Sequence, residues 1–295
     1  MFEGAHTALI TPFVDDKIDE DSLIKLIDNQ FDNQISGIVP CGTTGESPTL
    51  TNSEHKRIIE LSVNVANGRG KVIAGTGSNS TREAIIMTQH AQEAGADAAL
   101  LVCPYYNKPS QEGLYQHYKS IAKETDLPLM LYSIPGRSVI EISVETQLRL
   151  HTDCPNIIAM KEAGGDKKRV TEIRDALPKE YEVLSGDDAL TVEFIENGAV
   201  GVVSVASNLI PNEVSKLVSS LLMNKKDEAV KINSFCKPLF QGLLSLETNP
   251  IPIKEAMALC NKSTDELRLP LVGLSDSKKS ELLTLLNELN LHSNN

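Results

Sequence analysis

The stretch IIAMKEA, from Ile157 to Ala163, places Lys161 directly after four apolar residues. A continuous apolar run of this kind is typical of a strand that is covered on both faces, as in a parallel sheet. Seven further runs of similar character in the first three quarters of the chain predict eight such strands. The others are TALIT from Thr7, GIVPCG from Gly37, KVIAGTG from Lys71, AALLVCP from Ala98, LPLMLYSIP from Leu127, YEVLSGDD from Tyr181 and GVVSVAS from Gly201.

Segments with helical periodicity lie between these runs, and residues 19–34 and 51–67 are clear examples. Capping signals fit this reading, because a small polar residue followed by Glu54, and another followed by Glu83, predicts two helix starts. Strand and helix alternate at roughly 20 to 35 residues per unit, as βα units do. Eight units favour an α/β fold of the closed (β/α)₈ TIM-barrel type, spanning residues 1–224, over an open doubly wound sheet.

The strand-like runs stop after about Met223. Three helix-like segments follow, at residues 225–246, 249–261 and 275–291. No Gly/Ser-rich linker separates them from the preceding part of the chain. We therefore expect a small C-terminal domain of three helices, spanning residues 225–295, that packs on the barrel.

Composition excludes several classes of function. A formal net charge of -12 without a clustered basic face argues against nucleic acid as a partner. The five cysteines are scattered and the six histidines lack metal-binding spacing, so neither a disulfide framework nor a metal site is predicted. No segment approaches the ~18 continuous apolar residues of a membrane span. We expect a cytoplasmic protein with no membrane partner.

Chemically active residues follow the predicted strands. In a (β/α)₈ barrel, catalytic groups come from the C-terminal ends of the strands and from the loops just after them. Five runs end in such residues, which therefore share one rim. They are CGTTGES after the second strand, PYYNKPSQEG after the fourth, YSIPGRS with Tyr132 and Arg137 after the fifth, Lys161 on the sixth, and SGDD from Ser185 on the seventh.

Lys161 is the strongest catalytic candidate on this rim. Burial among apolar neighbours disfavours the ammonium form and leaves an amine that can attack a carbonyl group. The alternative is a lysine whose stem is buried while its charged head reaches water. The surrounding motifs favour the nucleophile.

The neighbouring motifs suit an anionic substrate. GTTGES offers free backbone N–H groups and two adjacent hydroxyls, a suitable cradle for a carboxylate, although it could also be a plain turn. Tyr132 could carry protons beside Lys161, or be a core tyrosine. Arg137 has a planar fork suited to a carboxylate, or could form a surface salt bridge. Asp187 and Asp188 are expected to bond to backbone N–H groups.

Nine motifs occur in an order and spacing that carry a resemblance. They are ALITPF, GTTGESPTL, VIAGTGSNST, PYYNKPSQEGLYQHY, LPLMLYSIPGRS, KEAGGD, LSGDD, GVVSVASN and NPIPIKEA. In these residues the chain resembles the class I pyruvate-dependent lyases, and within that superfamily the dihydrodipicolinate synthase family. The resemblance runs from Phe2 to the last helix.

The resemblance implies an activity and an assembly. Pyruvate would condense with L-aspartate 4-semialdehyde through a lysine Schiff base, giving 4-hydroxy-tetrahydrodipicolinate for diaminopimelate and lysine biosynthesis. No metal or organic cofactor would be needed, and the protein would be a homotetramer built as a dimer of dimers. The alternatives are a lyase acting on N-acetylneuraminate or 2-keto-3-deoxy sugar acids, and a non-catalytic barrel that binds a small molecule.

The resemblance also implies catalytic roles. Lys161 would form the Schiff base with pyruvate, and Tyr132 would donate and accept protons beside it. Thr43 and Tyr106 would complete a hydroxyl relay with Tyr132. In the family, the tyrosine at the position of Tyr106 is lent by a neighbouring subunit.

Four further positions match substrate-binding residues. Thr44 would bind the pyruvate carboxylate, and Arg137 would hold the carboxylate of the semialdehyde. Gly186 would line the pocket, and Val203 would contribute a backbone contact to pyruvate. The alternative lyases generally lack an arginine at the position of Arg137. The chain departs from common family residues at Ser133 and Ser138, and we expect little effect on substrate choice.

A second site is also implied by the resemblance. Seven residues match positions that bind lysine in inhibited members of the family, although Asn52 replaces a histidine that is common there. Subunit-interface surface is the alternative explanation, because interfaces are also rich in tyrosine and polar groups. The seven are Ser47, Pro48, Asn52, His55, Asn79, Glu83 and Tyr105.

Overall fold

The computed structural model describes residues 1–292. Eight parallel strands, numbered β1 to β8 along the chain, close into a barrel in which each strand pairs with its neighbours in sequence and β8 pairs with β1. This confirms the predicted (β/α)₈ TIM barrel. The strands are β1 Gly4–Ala8, β2 Gly37–Val39, β3 Lys71–Gly75, β4 Ala98–Val102, β5 Leu129–Ser133, β6 Ile157–Glu162, β7 Glu182–Ser185 and β8 Gly201–Ser204.

One helix follows each barrel strand, and three more end the chain. They are α1 Glu20–Asp32, α2 Asn52–Ala66, α3 Thr81–Ala94, α4 Gln111–Ala122, α5 Val144–Asp153, α6 Lys167–Ala176, α7 Thr191–Glu196, α8 Pro211–Leu222, α9 Lys226–Ser245, α10 Ile251–Leu259 and α11 Asp276–Glu288. Short one-turn helices at Ser47–Thr49, Pro135–Ser138, Asp188–Leu190 and Ala206–Asn208 and a hairpin of Phe13–Val14 with Lys17–Ile18 complete the structure.

The predicted helix starts are confirmed. Thr51 caps α2 in a capping box, in which its side chain accepts from the backbone of Glu54 and the Glu54 carboxylate accepts from the backbone of Thr51. Ser80 caps α3 by accepting from the backbone N–H of Glu83. Both caps satisfy backbone donors that a helix leaves free in its first turn.

The first strand differs from the predicted run, which begins at Thr7. The strand occupies Gly4–Ala8, and the apolar residues Leu9 and Ile10 that follow it are buried in a loop. Apolar character alone marks burial and not strand geometry, which explains the offset. The other seven runs each contain their strand.

Two apolar layers surround the strands. One fills the barrel interior and includes Met130, Ala159 and Val203, and the other lies between the barrel and its helices and includes Met160. Successive residues of a strand point to opposite faces. Lys161 therefore points into the barrel from β6, and the next residue points outward to the helix layer.

The three C-terminal helices fall within the predicted segments. Helix α9 packs on α8, and α11 packs on α9 and α10. Helix α10 is deeply buried, and Ile253, Lys254 and Met257 are each less than 2% exposed. The boundary at residue 224 stays a prediction, and residues 293–295 of the predicted second domain lie outside the described residues.

Across residues 1–292, no helix combines the length and the apolar character that crossing a membrane requires.

Candidate active site

Lys161 and Tyr132 lie side by side at the C-terminal ends of β6 and β5. The two residues pair in register, and Lys161 Nζ lies 4.3 Å from the centroid of the Tyr132 ring. Both side chains are buried, with exposed fractions of 6% and 5%. The barrel therefore brings together the two residues that the sequence placed on different strands.

Burial changes the acid–base properties of Lys161. Desolvation, assisted by the positive charge of Arg137 and opposed by the negative charge of Asp188, lowers the pKa of the Lys161 ammonium to about 8. An ammonium group with a pKa of about 8 leaves roughly a tenth of the side chain as free amine at neutral pH. The direction agrees with the predicted nucleophile.

Tyr132 stays protonated at neutral pH. Desolvation raises the pKa of its phenol to about 12, while the side chain of Thr43 and the charge of Arg137 act in the opposite direction. A neutral phenol can donate a proton to one atom while it receives another from a neighbouring hydroxyl. Thr43 is the residue of the GTTGES loop that is placed to do this.

A cavity of about 220 Å³ opens at this end of the barrel. Thr43, Tyr132 and Arg137 line it, together with Ser47 and Tyr105. Lys161 is not among the lining residues, but its Nζ lies 4.3 Å from the centroid of the Tyr132 ring, which does line the cavity. The cavity therefore joins two of the predicted catalytic residues, Thr43 and Tyr132, to part of the predicted effector set.

The two candidate carboxylate binders contact the same downstream segment. The Thr44 hydroxyl accepts a hydrogen bond of 2.9 Å from the side-chain amide of Asn249, and only 3% of Thr44 is exposed. Arg137 Nη2 donates to the Asn249 carbonyl at 2.8 Å and to the Thr248 hydroxyl at 3.2 Å. The hydrogen-bond partners of Arg137 in the described residues are thus a carbonyl and a hydroxyl, and neither is a carboxylate.

Gly186 lies against the lysine. A Cβ atom at this position would lie 2.6 Å from the Cβ of Ala163 and 3.0 Å from Lys161 Cε. A side chain at 186 would therefore clash with Ala163 and crowd the Lys161 side chain. Val203 is fully buried on β8, where it pairs with His6 of β1.

The two aspartates after β7 bond to backbone groups, as predicted. Asp187 Oδ1 accepts from the N–H of Ala189 at 2.8 Å. Asp188 Oδ2 accepts from the N–H groups of Val205 and Ala206 at 2.9 and 3.0 Å. Asp188 also gives the interior a negative charge near Lys161.

Tyr106 does not join this cluster within one chain. Its side chain is 89% exposed and is not part of the cavity wall. Its backbone has a φ of 72°, in the left-handed region that few tyrosines occupy. The structure of one chain thus separates Tyr106 from Thr43 and Tyr132.

The predicted effector residues divide into two groups. Ser47, Pro48 and Tyr105 line the cavity. Asn79 Nδ2 donates to the Tyr105 carbonyl at 3.1 Å, and Glu83 accepts from the hydroxyl of Ser78, so these two residues lie directly behind Tyr105.

The other two effector residues are on α2. His55 is buried, and its Nε2 donates to the carbonyl of Gly75 at 2.8 Å. Desolvation lowers the pKa of His55, which keeps the ring neutral. Asn52 is exposed at the first position of the helix. His55 therefore supports the wall from behind, and Asn52 lies at the surface.

The sequence analysis missed the contribution of the C-terminal segment. Besides Thr248 and Asn249, Lys254 is fully buried and pairs with Glu46 of the GTTGES loop at 2.6 Å. Lys254 Nζ also donates to the carbonyl of Thr11 at 2.9 Å. The motif NPIPIKEA was a signal for this segment, but its spatial partners lie some two hundred residues upstream.

Within residues 1–292 there is no group of three or more His, Cys, Asp or Glu side chains arranged to hold a metal ion.

The chain matches a known family along almost its whole length. The model of the dihydrodipicolinate synthetase family matches residues 1–289. The 4-hydroxy-tetrahydrodipicolinate synthase of Aquifex aeolicus (strain VF5) is 47% identical over 291 residues, which cover 99% of each chain.

Solved structures are equally similar. The 4-hydroxy-tetrahydrodipicolinate synthase of Methylacidiphilum fumariolicum SolV superposes with a TM-score of 0.97 at 48% identity, covering 98% of this chain and 96% of that one. The dihydrodipicolinate synthase (DHDPS) of Cyanidioschyzon merolae, in a structure with lysine bound, superposes with a TM-score of 0.94 at 39% identity, covering 98% of this chain and 99% of that one. These similarities confirm the family predicted from the motifs, and the chain belongs to the dihydrodipicolinate synthetase family.

Proposed function

We propose that this protein is a lyase that condenses pyruvate with L-aspartate 4-semialdehyde to give 4-hydroxy-tetrahydrodipicolinate, a step of diaminopimelate and lysine biosynthesis. The observation that carries the proposal is the buried Lys161 amine, which lies beside the Tyr132 ring with its pKa lowered to about 8. The relatives named above carry the name of this synthase.

Lys161 forms the covalent intermediate. Its free amine attacks the keto carbon of pyruvate, and the resulting carbinolamine loses water to give a protonated imine. The imine draws electrons, so a proton leaves the pyruvate methyl group and an enamine forms. Tyr132, with Thr43 behind it, carries protons to the departing hydroxyl and from the methyl group.

The second half of the reaction builds the ring. The enamine carbon attacks the aldehyde of the semialdehyde, and the aldehyde oxygen takes up a proton. The amino group of the semialdehyde then attacks the imine carbon, and Lys161 leaves as a free amine. Thr44 binds the pyruvate carboxylate, and Arg137 binds that of the semialdehyde. Gly186 leaves room for both, and the Val203 backbone contacts pyruvate.

A trapping experiment tests the intermediate. After incubation with pyruvate and borohydride, mass spectrometry of the protein is expected to show one stable pyruvate adduct, located on the peptide that contains Lys161. An unmodified protein would contradict the mechanism and would favour a non-catalytic binding barrel.

Substrate choice is tested by comparing aspartate 4-semialdehyde, which would condense with pyruvate, with N-acetylneuraminate, which a related lyase would cleave. A coupled assay is expected to show turnover with aspartate 4-semialdehyde and none with N-acetylneuraminate. Arg137 supports this choice, because it lines the cavity and its guanidinium has N–H groups besides those of Nη2 that could bind the semialdehyde carboxylate. Turnover of N-acetylneuraminate instead would assign the chain to the alternative lyases.

The proposal includes a homo-oligomer, as a cytoplasmic tetramer made of two dimers. Tyr106 supports it, because a tyrosine that is 89% exposed in one chain is available to a neighbouring copy. Two inactive variants, Lys161→Ala and Tyr106→Ala, test the exchange when their subunits are mixed. In a mixed dimer, the Tyr106→Ala subunit keeps Lys161 and receives Tyr106 from its neighbour, so one of the two sites is intact. Random mixing makes half of the dimers mixed, so about a quarter of the wild-type activity is expected. No recovery would contradict a lent tyrosine.

We also propose that lysine binds beside Ser47, Pro48, Tyr105, Asn79, Glu83, His55 and Asn52 and slows the reaction. The support is that the first three line the cavity that holds Thr43, and that the Cyanidioschyzon merolae relative has lysine bound. An unchanged rate at millimolar lysine would contradict the proposal.

A further inference from the structure

Asn249 lies between α9 and α10, far along the chain from the GTTGES loop. Its side-chain Nδ2 donates to Thr44 Oγ1 at 2.9 Å, and its backbone carbonyl accepts from Arg137 Nη2 at 2.8 Å. One residue thus contacts, through two different atoms, both side chains that the proposed function assigns to carboxylate binding.

The contact with Thr44 determines where that hydroxyl points its proton. A threonine hydroxyl has one donor and two acceptor positions. Because the Asn249 amide occupies an acceptor position, the O–H of Thr44 is left free to donate to a ligand. Without the amide, the hydroxyl could rotate and turn its lone pairs toward the carboxylate.

The contact with Arg137 fixes a guanidinium that is otherwise exposed. Arg137 is at the surface of the one-turn helix Pro135–Ser138, and its Nη2 is held by the Asn249 carbonyl and the Thr248 hydroxyl. Two bonds at one nitrogen orient the planar group and leave its other N–H groups for a second carboxylate.

A buried ion pair holds Asn249 in place. Helix α10 begins two residues later, and its Lys254 pairs at 2.6 Å with Glu46, which lies two residues after Thr44. Both side chains are almost completely buried, with exposed fractions of 0% and 1%. The loop that carries Thr44 and the helix that follows Asn249 are therefore fixed to each other.

We propose that Asn249 is a positioning residue for carboxylate recognition, acting on pyruvate through Thr44 and on the semialdehyde through Arg137. This inference rests on the proposed function. It predicts that the Asn249 amide governs the affinity for pyruvate while the covalent chemistry at Lys161 is left intact.

The first test is steady-state kinetics of Asn249→Ala. The variant removes the amide and keeps the backbone carbonyl, so KM for pyruvate is expected to rise about 5- to 10-fold, with kcat and KM for the semialdehyde within about twofold. Asn249→Asp has the same shape but only acceptor atoms and a negative charge, so both KM values are expected to rise more than tenfold. The Asp variant also keeps the test open if the alanine variant fails to fold.

A double variant separates positioning from a general structural effect. If Asn249 acts through Thr44, then Asn249→Ala should change KM for pyruvate less than twofold in a Thr44→Val background. Thr248→Val is the matched control, because its side chain contacts Arg137 and not Thr44, and its KM for pyruvate should stay within twofold.

Three results would overturn the inference. The first is an unchanged KM for pyruvate in folded Asn249→Ala, and the second is an Asn249→Ala variant in which only kcat falls. The third is a double variant with Thr44→Val in which the two changes in KM for pyruvate multiply. The trapping experiment shows whether the inference about Asn249 or the proposed function itself has failed. Saturating pyruvate and borohydride should label Lys161 in the wild type and in every Asn249 variant. Absence of the adduct from the wild type counts against the proposed function alone.

Discussion

The chain contains the tripeptide Lys-Glu-Ala twice, each time after apolar residues, and the two lysines behave differently. In IIAMKEA, Lys161 ends a barrel strand and is 6% exposed; in IPIKEA, Lys254 lies inside α10 and is 0% exposed. Desolvation lowers the pKa of both ammonium groups. Lys254, however, forms an ion pair with Glu46 at 2.6 Å.

The partner accounts for the difference. The Glu46 carboxylate and the Thr11 carbonyl accept hydrogen bonds from the Lys254 ammonium group, and the charge of Glu46 opposes the effect of desolvation on its pKa. Lys161 faces the Tyr132 ring and feels only the more distant charges of Asp188 and Arg137. Burial alone therefore does not make a lysine reactive; burial without a bonded carboxylate does.

The largest expected effect comes from removing the unpaired amine. Lys161→Ala should lower kcat by roughly 10³-fold or more, because no other buried amine can form the imine. Lys161→Arg should do the same while it keeps a positive charge. Rates measured in the coupled assay, with folding checked by circular dichroism, test this prediction. Turnover within tenfold of the wild-type rate would contradict the claim that Lys161 is the reactive lysine.

Removing the paired lysine should affect stability and leave the chemistry intact. Lys254→Met leaves the Glu46 carboxylate buried without its cation, which should lower the free energy of unfolding by about 3–5 kcal/mol. Denaturant titration measures this loss, and the folded fraction should still form the borohydride adduct. In Lys254→Met/Glu46→Gln much of the loss should be recovered, whereas additive losses would show that the pair is not the cause.

Glu162 extends the comparison to the outer face of β6. It is fully buried, and desolvation raises the pKa of its carboxyl from 4.5 to about 7. The folded state therefore binds a proton that the unfolded state has released, so stability is full below about pH 4.5 and falls as pH rises to about 7. The loss is on the order of 3 kcal/mol.

Glu162→Gln should remove this part of the pH dependence. The free energy of unfolding should be measured for the variant and the wild type at intervals between about pH 4.5 and pH 7. With rising pH it should fall in the wild type more than in the variant, so the variant becomes relatively more stable. Parallel curves would indicate that Arg169, whose Nε lies 4.0 Å from Glu162 Oε2, stabilises the ionised carboxylate.

The pH dependence of the reaction gives the smallest effect. Only the free amine of Lys161 attacks pyruvate, so kcat/KM for pyruvate should rise about tenfold per pH unit and level off above about pH 8, the pKa of that group. Lys254→Met should keep the same midpoint. A profile that is flat below pH 8, or a midpoint that moves in Lys254→Met, would contradict the separation of the two lysines.

Much of the fold followed from local pattern. Strands covered on both faces have continuous apolar runs, which is why seven of the eight lie inside their predicted runs, whereas the first strand, Gly4–Ala8, begins before its run. Alternation along β6 directs Lys161 inward once the barrel closes. Thr43, Tyr132 and Arg137 could be placed on one rim because Tyr132 lies at the C-terminal end of β5 and the other two lie in loops that follow strands.

Contacts between distant parts of the chain could not be predicted. The bond between Asn249 and Thr44 joins residues 205 positions apart, and the Lys254–Glu46 pair spans 208. IPIKEA and IIAMKEA look alike as sequences, and only the tertiary structure shows which lysine meets a carboxylate. Tyr106 is a further case, because its proposed partner residues belong to a second copy of the chain.

The attachment of Asn249 and Lys254 to the GTTGES loop has a consequence for protein synthesis. The ribosome makes the eight strands first, so a nearly complete barrel emerges before the groups that orient Thr44 and Arg137 exist. A nascent chain that stops short of residue 248 could carry the reactive lysine yet would bind its keto acid poorly. The amine of Lys161 would then capture keto acids poorly until translation is almost finished.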